Sequence, residues 1–171
     1  MAEQKMKQSK FFLLADTLFN NIPMSLAVSA MCQGIAILQG QVSSWNWALY
    51  GINVCVAFII ATIIGLAIQP PKRSFKAAAK HGAPGSKEFD KWMGILVNTW
   101  YTTILVICMT ILNTEVLPPV KAPFIGVVMG CLINYIPVWV LCFIISLIFM
   151  KPIENLAHKL VGDEDVIPIG K

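Results

Sequence analysis

The sequence predicts an all-α integral membrane protein, a four-helix bundle built from two tandem transmembrane hairpins. Composition is the first reason: 57% of the residues are hydrophobic and 13% are charged, whereas soluble domains carry about 25% charged residues. The second reason is where the charges are missing. No Asp, Glu, Lys or Arg occurs in the segments 17–71, 92–114 and 122–150. One core cannot shield that much apolar side chain from water, so we expect a bilayer as the second solvent.

The first hairpin is predicted at 17–71, after an N-terminal arm at 1–16. A helix of about 20 residues crosses the roughly 30 Å hydrocarbon layer of a bilayer, so this segment is long enough for two crossings. We place them at 17–39 and 47–69. The turn between them is polar: Gln39, Gly40, Gln41, Ser43, Ser44 and Asn46.

The second hairpin is predicted at 92–153, with spans at 92–114 and 124–150. A basic loop at 72–91 joins the hairpins, and a polar tail at 154–171 follows them. The first part of the loop predicts a short basic helix on the membrane surface, ended by the Gly82-Ala83-Pro84-Gly85 segment.

The cations predict the orientation. The arm holds three Lys and the loop holds six Lys or Arg. Three more Lys follow the last span, at Lys151, Lys159 and Lys171, while the connections inside the hairpins hold only Lys121. Lys and Arg accumulate on the cytoplasmic side of membrane proteins. We therefore expect both termini in the cytoplasm of a cell, with a bacterial inner membrane as the location. The basic loop is expected to contact anionic lipid headgroups rather than nucleic acid.

Equivalent positions indicate that the two hairpins are repeats. Asn53 lies eighteen residues before Pro71, and Asn134 lies eighteen residues before Pro152. In both places Lys or Arg adjoins the proline. Repeats that each contain two spans share one orientation and are related by an axis along the membrane normal.

The first hairpin resembles the bacterial DUF2798 family of membrane proteins. The resemblance is carried by a short cationic arm, the Met24-Ser25 pair, Trp47 after the polar turn, and a span that closes on Pro followed by Lys or Arg. It implies a two-helix membrane hairpin of unknown function, present here in tandem. The second hairpin departs from the pattern, with Tyr101-Thr102 in place of Met-Ser. The resemblance implies no activity.

Four asparagines inside the spans are the candidate functional residues: Asn21, Asn53, Asn98 and Asn134. Gln33 is a further polar candidate. Polar side chains are costly in hydrocarbon and must face protein or water. Two alternatives follow: the amides form hydrogen bonds between helices, or they line a polar path for a solute.

Prolines and glycines inside the spans are further candidates for structural or functional roles. Pro23 and Pro137 each remove a helical hydrogen bond, so we predict kinks there. Gly126 and Gly130 form a Gly-x-x-x-Gly pair, which favours close packing between helices.

Catalytic chemistry is not indicated. No ionisable residue lies at the centre of a span, the five cysteines lack metal-ligand spacing, and no phosphate-binding loop occurs. We therefore predict no enzyme activity, no catalytic residue, no metal and no cofactor.

Two functions remain. The first is a structural or accessory membrane module that acts through helix packing. The alternative is an oligomeric small-solute transporter or channel with an Asn-lined path. The expected partners are the lipid bilayer and either further copies of the chain or a larger membrane complex.

Overall fold

The computed structural model of the protein describes residues 10–117 and 122–161. Every regular element in these ranges is helical, in the order α1 (Lys10–Leu38), α2 (Trp47–Ile63), α3 (Pro70–Ala78), α4 (Lys87–Ile111) and α5 (Phe124–Val161). Two short π-helical turns extend α2 and α4, at Ile64–Ile68 and Leu112–Val116.

Four helices are long and apolar enough to cross a membrane. They comprise Phe11–Leu38, Trp47–Ile68, Lys87–Val116 and Phe124–Phe149. The all-α class and the four long apolar helices predicted from the sequence are thereby confirmed. The first and last helices extend further than the spans, because α1 begins at Lys10 and α5 continues through Pro152 into the predicted tail. The remainder of that tail, at 162–171, and Lys121 lie outside the described residues.

The four long helices pack in a ring. α1 packs against α2 and α5, and α4 packs against α5 and, less extensively, α2. Two apolar clusters fill the interior. One joins α2 and α4 around Ala57, Ile64, Leu105 and Met109, and the other joins α1, α4 and α5. Its members are Val28, Val106, Val138 and Cys142.

The bundle has two distinct ends. The turn end carries residues 39–46 between α1 and α2 and the start of α5. The α3 end carries the short helix α3. At the turn end, Asn46 Oδ1 accepts a 3.0 Å hydrogen bond from the Leu49 backbone N–H and so caps α2.

The π-helical turn after α2 redirects the chain at the α3 end. It ends at Gln69, which has a left-handed backbone with φ of 51°, and Pro70 then begins α3. α3 packs on α4, with the Phe75 and Phe89 ring centroids 5.3 Å apart, and Ser74 and Ala78 of α3 are buried. This helix covers most of the segment for which the sequence predicts a short basic helix.

Candidate functional site

A cavity of about 520 Å³ lies at the turn end, between the four long helices. We call it the turn-end cavity. Its polar lining residues come from every long helix or its adjoining turn: Gln33, Gln39, Gln41, Asn53, Thr110, Asn113, Thr114 and Asn134. None of its described lining residues carries a charge. The remainder of the lining is mainly apolar and includes Cys32, Ile35, Leu49 and Met109.

Three lining amides have oxygens without a hydrogen-bond partner among the described residues. They are Gln33 Oε1 on α1, Asn53 Oδ1 on α2 and Asn134 Oδ1 on α5. Gln33 and Asn53 are only 3% and 1% exposed. A buried acceptor without a partner costs about 1–3 kcal/mol. Asn98 Oδ1, Thr102 Oγ1 and Ser74 Oγ, which lie away from the cavity, are buried in the same way, so this cost is not confined to the cavity.

The nitrogens of two of these amides are bonded to protein. Gln33 Nε2 donates to the Asn46 carbonyl at 3.1 Å, and Asn53 Nδ2 donates to Asn113 Oδ1 at 3.2 Å. Asn113 Nδ2 in turn donates to the Met109 carbonyl at 2.8 Å. This chain of bonds holds the Asn53 side chain on the cavity wall.

Asn113 is a lining residue that the sequence analysis did not identify. It lies at the edge of the predicted third span, where a polar residue is common and carries no signal of its own. Its position becomes informative only once α2 and α4 are known to be neighbours.

A row of buried polar side chains runs along α1 from the cavity to the α3 end. The residues are spaced by four, which keeps them close to one helix face. They are Gln33, Ser29, Ser25, Asn21 and Thr17, each at most 5% exposed. Ser29 Oγ has no partner among the described residues. The row makes α1 the most polar wall of the bundle interior.

Two of the four predicted asparagines lie away from the cavity, at helix contacts. Asn21 Nδ2 donates to Thr62 Oγ1 at 3.2 Å between α1 and α2, and Asn98 Nδ2 donates to the Trp139 carbonyl at 3.0 Å between α4 and α5. Asn53 and Asn134 therefore line the cavity, and Asn21 and Asn98 bridge helices away from it. Asn53 also bridges helices, through its bond to Asn113.

The α3 end of the interior is closely packed around Gly65. A Cβ atom added there would lie 2.5 Å from Thr17 Cγ2 and 2.7 Å from Tyr101 Oη. α1, α2 and α4 therefore meet at a point that only glycine fits. This contact and the two apolar clusters separate the turn-end cavity from the α3 end.

The predicted backbone features are placed as follows. Pro23 and Pro137 lie inside α1 and α5, and both helices continue through them. Gly126 and Gly130 line the cavity. A Cβ at Gly130 would lie 3.0 Å from Thr110 Cγ2 on α4, whereas one at Gly126 would meet only its own segment. Close helix packing at this pair therefore centres on Gly130.

The α3 end is basic on its surface. Lys72, Arg73, Lys76 and Lys80 are exposed on or just after α3, and no acidic residue occurs in that helix. Arg73 Nε donates to the Ile68 carbonyl at 2.8 Å. Its guanidinium therefore also closes the end of the π-helical turn.

No family model matches the chain, and neither the curated proteins nor the solved structures yield a match. The resemblance to the DUF2798 family stays a prediction. Functional inference rests on the geometry of the bundle.

Proposed function

We propose that this protein binds a small polar solute in the turn-end cavity and transports it across a membrane. The observation that carries the proposal is the turn-end cavity itself, about 520 Å³ in volume, with polar and uncharged side chains from every long helix or its adjoining turn. Polar groups in membrane helices are costly unless they face protein partners or a hydrated cavity. A small polar solute would find hydrogen-bonding side chains, such as Gln39, Gln41 and Thr114, in this lining.

The proposed setting is a bacterial inner membrane, crossed by two tandem hairpins with both termini in the cytoplasm. The apolar surface supports it, because α5 exposes a row of large side chains that includes Ile125, Leu132, Ile136 and Leu147. The cation bias supports an orientation with α3 inside and the turn end outside. The cavity would then open to the outer face.

The polar row on α1 supports movement of the solute beyond the cavity. It continues from Gln33 to Thr17, where the contact with Gly65 and Tyr101 closes the interior. In the proposed cycle this arrangement is the outward-facing state, and opening at Gly65 would release solute to the cytoplasm. Because four helices make a small transport unit, we propose that the protein works as a homo-oligomer.

Cysteine modification tests whether water reaches the cavity. Cys32 lines the cavity, whereas Cys55 lies on the exposed side of α2, two residues after Asn53. Two variants, each retaining one of these cysteines, are placed in lipid discs with a charged, membrane-impermeant methanethiosulfonate. We expect Cys32 to be modified and Cys55, which would face lipid, to stay unmodified.

Either of two results would contradict the proposal. An unreactive Cys32 in a folded bundle would mean that the cavity is closed to water. Equal modification of both cysteines would mean that the bundle is open to the reagent everywhere. Uptake of the solute into vesicles would be measured only after the expected pattern is found.

A structural or accessory module is the second candidate function. The observations that favour it are the interhelical bonds of Asn21 and Asn98, which contribute to packing rather than to a path. Its partners would be the bilayer, further copies or a larger membrane complex. An unreactive Cys32 would favour this candidate.

The basic surface at the α3 end is proposed to bind anionic lipid headgroups. Lys72 and Lys76 are one helical turn apart and both exposed, while the opposite side of α3 packs on α4. Each cation near an anionic leaflet contributes about 1 kcal/mol. This contact would hold α3 on the cytoplasmic surface.

A further inference from the structure

Three aromatic rings form a cluster at the turn end, where α2 begins. The ring centroids of Trp45 and Trp47 are 5.6 Å apart, and the Tyr50 ring lies 5.3 Å from Trp45 and 6.0 Å from Trp47. The Tyr50 hydroxyl donates to the Leu26 carbonyl on α1 at 3.2 Å, which fixes the position of the ring. We call Trp45, Trp47 and Tyr50 the aromatic cluster.

The aromatic cluster lies on the surface of the bundle. Trp47 is 75% exposed and Trp45 is 36% exposed. An exposed indole ring forgoes the stabilisation that burial of its apolar area would bring, about 25 cal/mol per Å². The boundary between hydrocarbon and water suits such a residue, because the indole ring is apolar and its N–H donates hydrogen bonds.

The residues around the aromatic cluster change from polar to apolar along the chain. The turn before it exposes Gln41, Ser43 and Ser44. After it, the large side chains that α2 exposes are apolar, and they are Ile52, Ile59 and Ile63. The aromatic rings therefore lie between a polar surface and an apolar surface, which is the order of environments from water through the headgroups into hydrocarbon.

The length of α2 agrees with a membrane boundary at Trp47. Together with its π-helical turn, the helix runs from Trp47 to Ile68 over 22 residues, which is about 33 Å at 1.5 Å per residue. The hydrocarbon layer of a bilayer is about 30 Å thick. The exposed Lys72 and Arg73 follow shortly after Ile68, so the opposite boundary would lie just before these cations.

We propose that the aromatic cluster is seated among the lipid headgroups of the leaflet at the turn end and fixes the depth of the bundle in the membrane. This inference rests on the proposed insertion of the four helices and identifies the surface that anchors them at this end. It also locates the entrance of the turn-end cavity. Gln41, Val42 and Leu49 line that cavity and also border the surface that carries Trp45 and Trp47. A solute would therefore enter at the level of the headgroups.

Quenching of tryptophan fluorescence by labelled lipids tests this depth. Two variants of the full chain each retain one of the five tryptophans, either Trp47 or Trp100, and the others are replaced by phenylalanine. Trp100 is the control, because it is 40% exposed near the middle of the candidate span Lys87–Val116. An inserted bundle would hold it near the centre of the bilayer.

Each variant is placed in vesicles of phosphatidylethanolamine and phosphatidylglycerol. The vesicles contain a lipid with a nitroxide quencher either on its headgroup or near the end of an acyl chain. We expect the headgroup nitroxide to quench Trp47 more strongly than the chain-end nitroxide does. For Trp100 we expect the reverse order.

The Trp100 variant separates failure of this inference from failure of the membrane proposal. If neither lipid quenches either tryptophan, the helices are not inserted. If Trp100 behaves as expected, three results at Trp47 would overturn the anchor. Stronger quenching by the chain-end nitroxide would place the ring in hydrocarbon. Quenching by dissolved acrylamide but by neither lipid would place it in water, and quenching by none of the three reagents would mean that protein covers it.

Single substitutions provide a second readout in a chain that keeps its other tryptophans. Trp47→Phe is expected to remove fluorescence that the headgroup nitroxide quenches. Trp100→Phe is expected to remove fluorescence that the chain-end nitroxide quenches. The opposite pattern would contradict the anchor even if the single-tryptophan variants failed to fold.

Discussion

Gly65 is the residue on which the packing of three helices depends most directly. The space beside it is filled by Thr17 Cγ2 and Tyr101 Oη, at 2.5 and 2.7 Å from where a Cβ would stand. We expect Gly65→Ala to lower the free energy of unfolding by about 1–3 kcal/mol, the usual cost of overpacking. Thermal unfolding in detergent micelles measures the change.

Gly51→Ala is the control for that substitution. Gly51 is exposed in α2, and nothing lies within 4 Å of an added Cβ. Because alanine favours a helix over glycine by about 1 kcal/mol, this variant should be as stable as the original chain or more stable. Equal effects of the two substitutions would show that the contact at Gly65 is not tight.

The bond between Asn21 and Thr62 can be measured by a double-mutant cycle. Asn21→Ala and Thr62→Val each remove one partner of the 3.2 Å hydrogen bond. We expect a coupling energy of about 0.6–1.7 kcal/mol in micelles, the range for side-chain bonds between membrane helices. A control cycle pairs Asn21→Ala with Thr110→Val. Its coupling energy should be about zero, because the effects of distant substitutions are additive.

The sequence could identify the buried amides but not their separate environments. Asn21, Asn53, Asn98 and Asn134 all appear as amides in apolar runs, and the sequence does not tell which of them bonds to another helix and which lines a cavity. Which one meets a partner depends on the residue opposite, such as Thr62 for Asn21 or the Trp139 carbonyl for Asn98. The identity of that opposite residue is known only from the tertiary structure. The residues of the polar row on α1 recur every fourth position in the sequence. Serine and threonine are common in membrane helices, however, so this spacing alone does not predict a buried polar face.

At the scale of elements, the long helices were predictable and their ends were not. Charge-free segments locate the four helices because hydrocarbon excludes charge over a fixed length. The π-helical turns at Ile64–Ile68 and Leu112–Val116 have no such signal, since their residues suit an α-helix equally well. The left-handed backbone conformation of Gln69 could not be predicted either, because glycine, not glutamine, is the residue that usually adopts it.

Helix α3 gives a prediction about lipid binding. Lys72→Gln with Lys76→Gln removes two exposed cations, while Arg73, which bonds to the Ile68 carbonyl, stays in place. We expect weaker retention of phosphatidylglycerol, by about 1 kcal/mol for each cation removed. Native mass spectrometry of the full chain with mixed lipids measures the retained lipid.

The control for this prediction lies at the start of α4. Lys87 and Lys91 are exposed beside Glu88 and Asp90, so their charge is locally compensated. Lys87→Gln with Lys91→Gln should change lipid retention less than the α3 pair. Equal losses from the two pairs would mean that only total charge matters and that α3 is not a distinct headgroup surface.

At the scale of the whole molecule, the ring of four helices places the cavity and the cations at opposite ends. The cavity lies at the turn end of the bundle, and the exposed cations of α3 lie at the α3 end. An uncharged polar cavity at one face and a basic surface at the other is the asymmetry expected of a protein inserted with a fixed orientation. The orientation of the bundle therefore decides from which side a solute would enter.

The orientation can be tested with single cysteines in a chain from which the five native cysteines are removed. Ser44→Cys lies in the turn between α1 and α2, and Ala83→Cys lies in the loop between α3 and α4; both positions are exposed. In intact bacterial cells we expect a membrane-impermeant maleimide to label Ser44→Cys and to label Ala83→Cys only after the cells are opened, because the cation bias predicts that the α3 end is inside. Labelling of Ala83→Cys alone in intact cells would invert the bundle and direct the cavity to the cytoplasm. Labelling of both positions in intact cells would contradict a single orientation, and the solute would then have no defined side of entry.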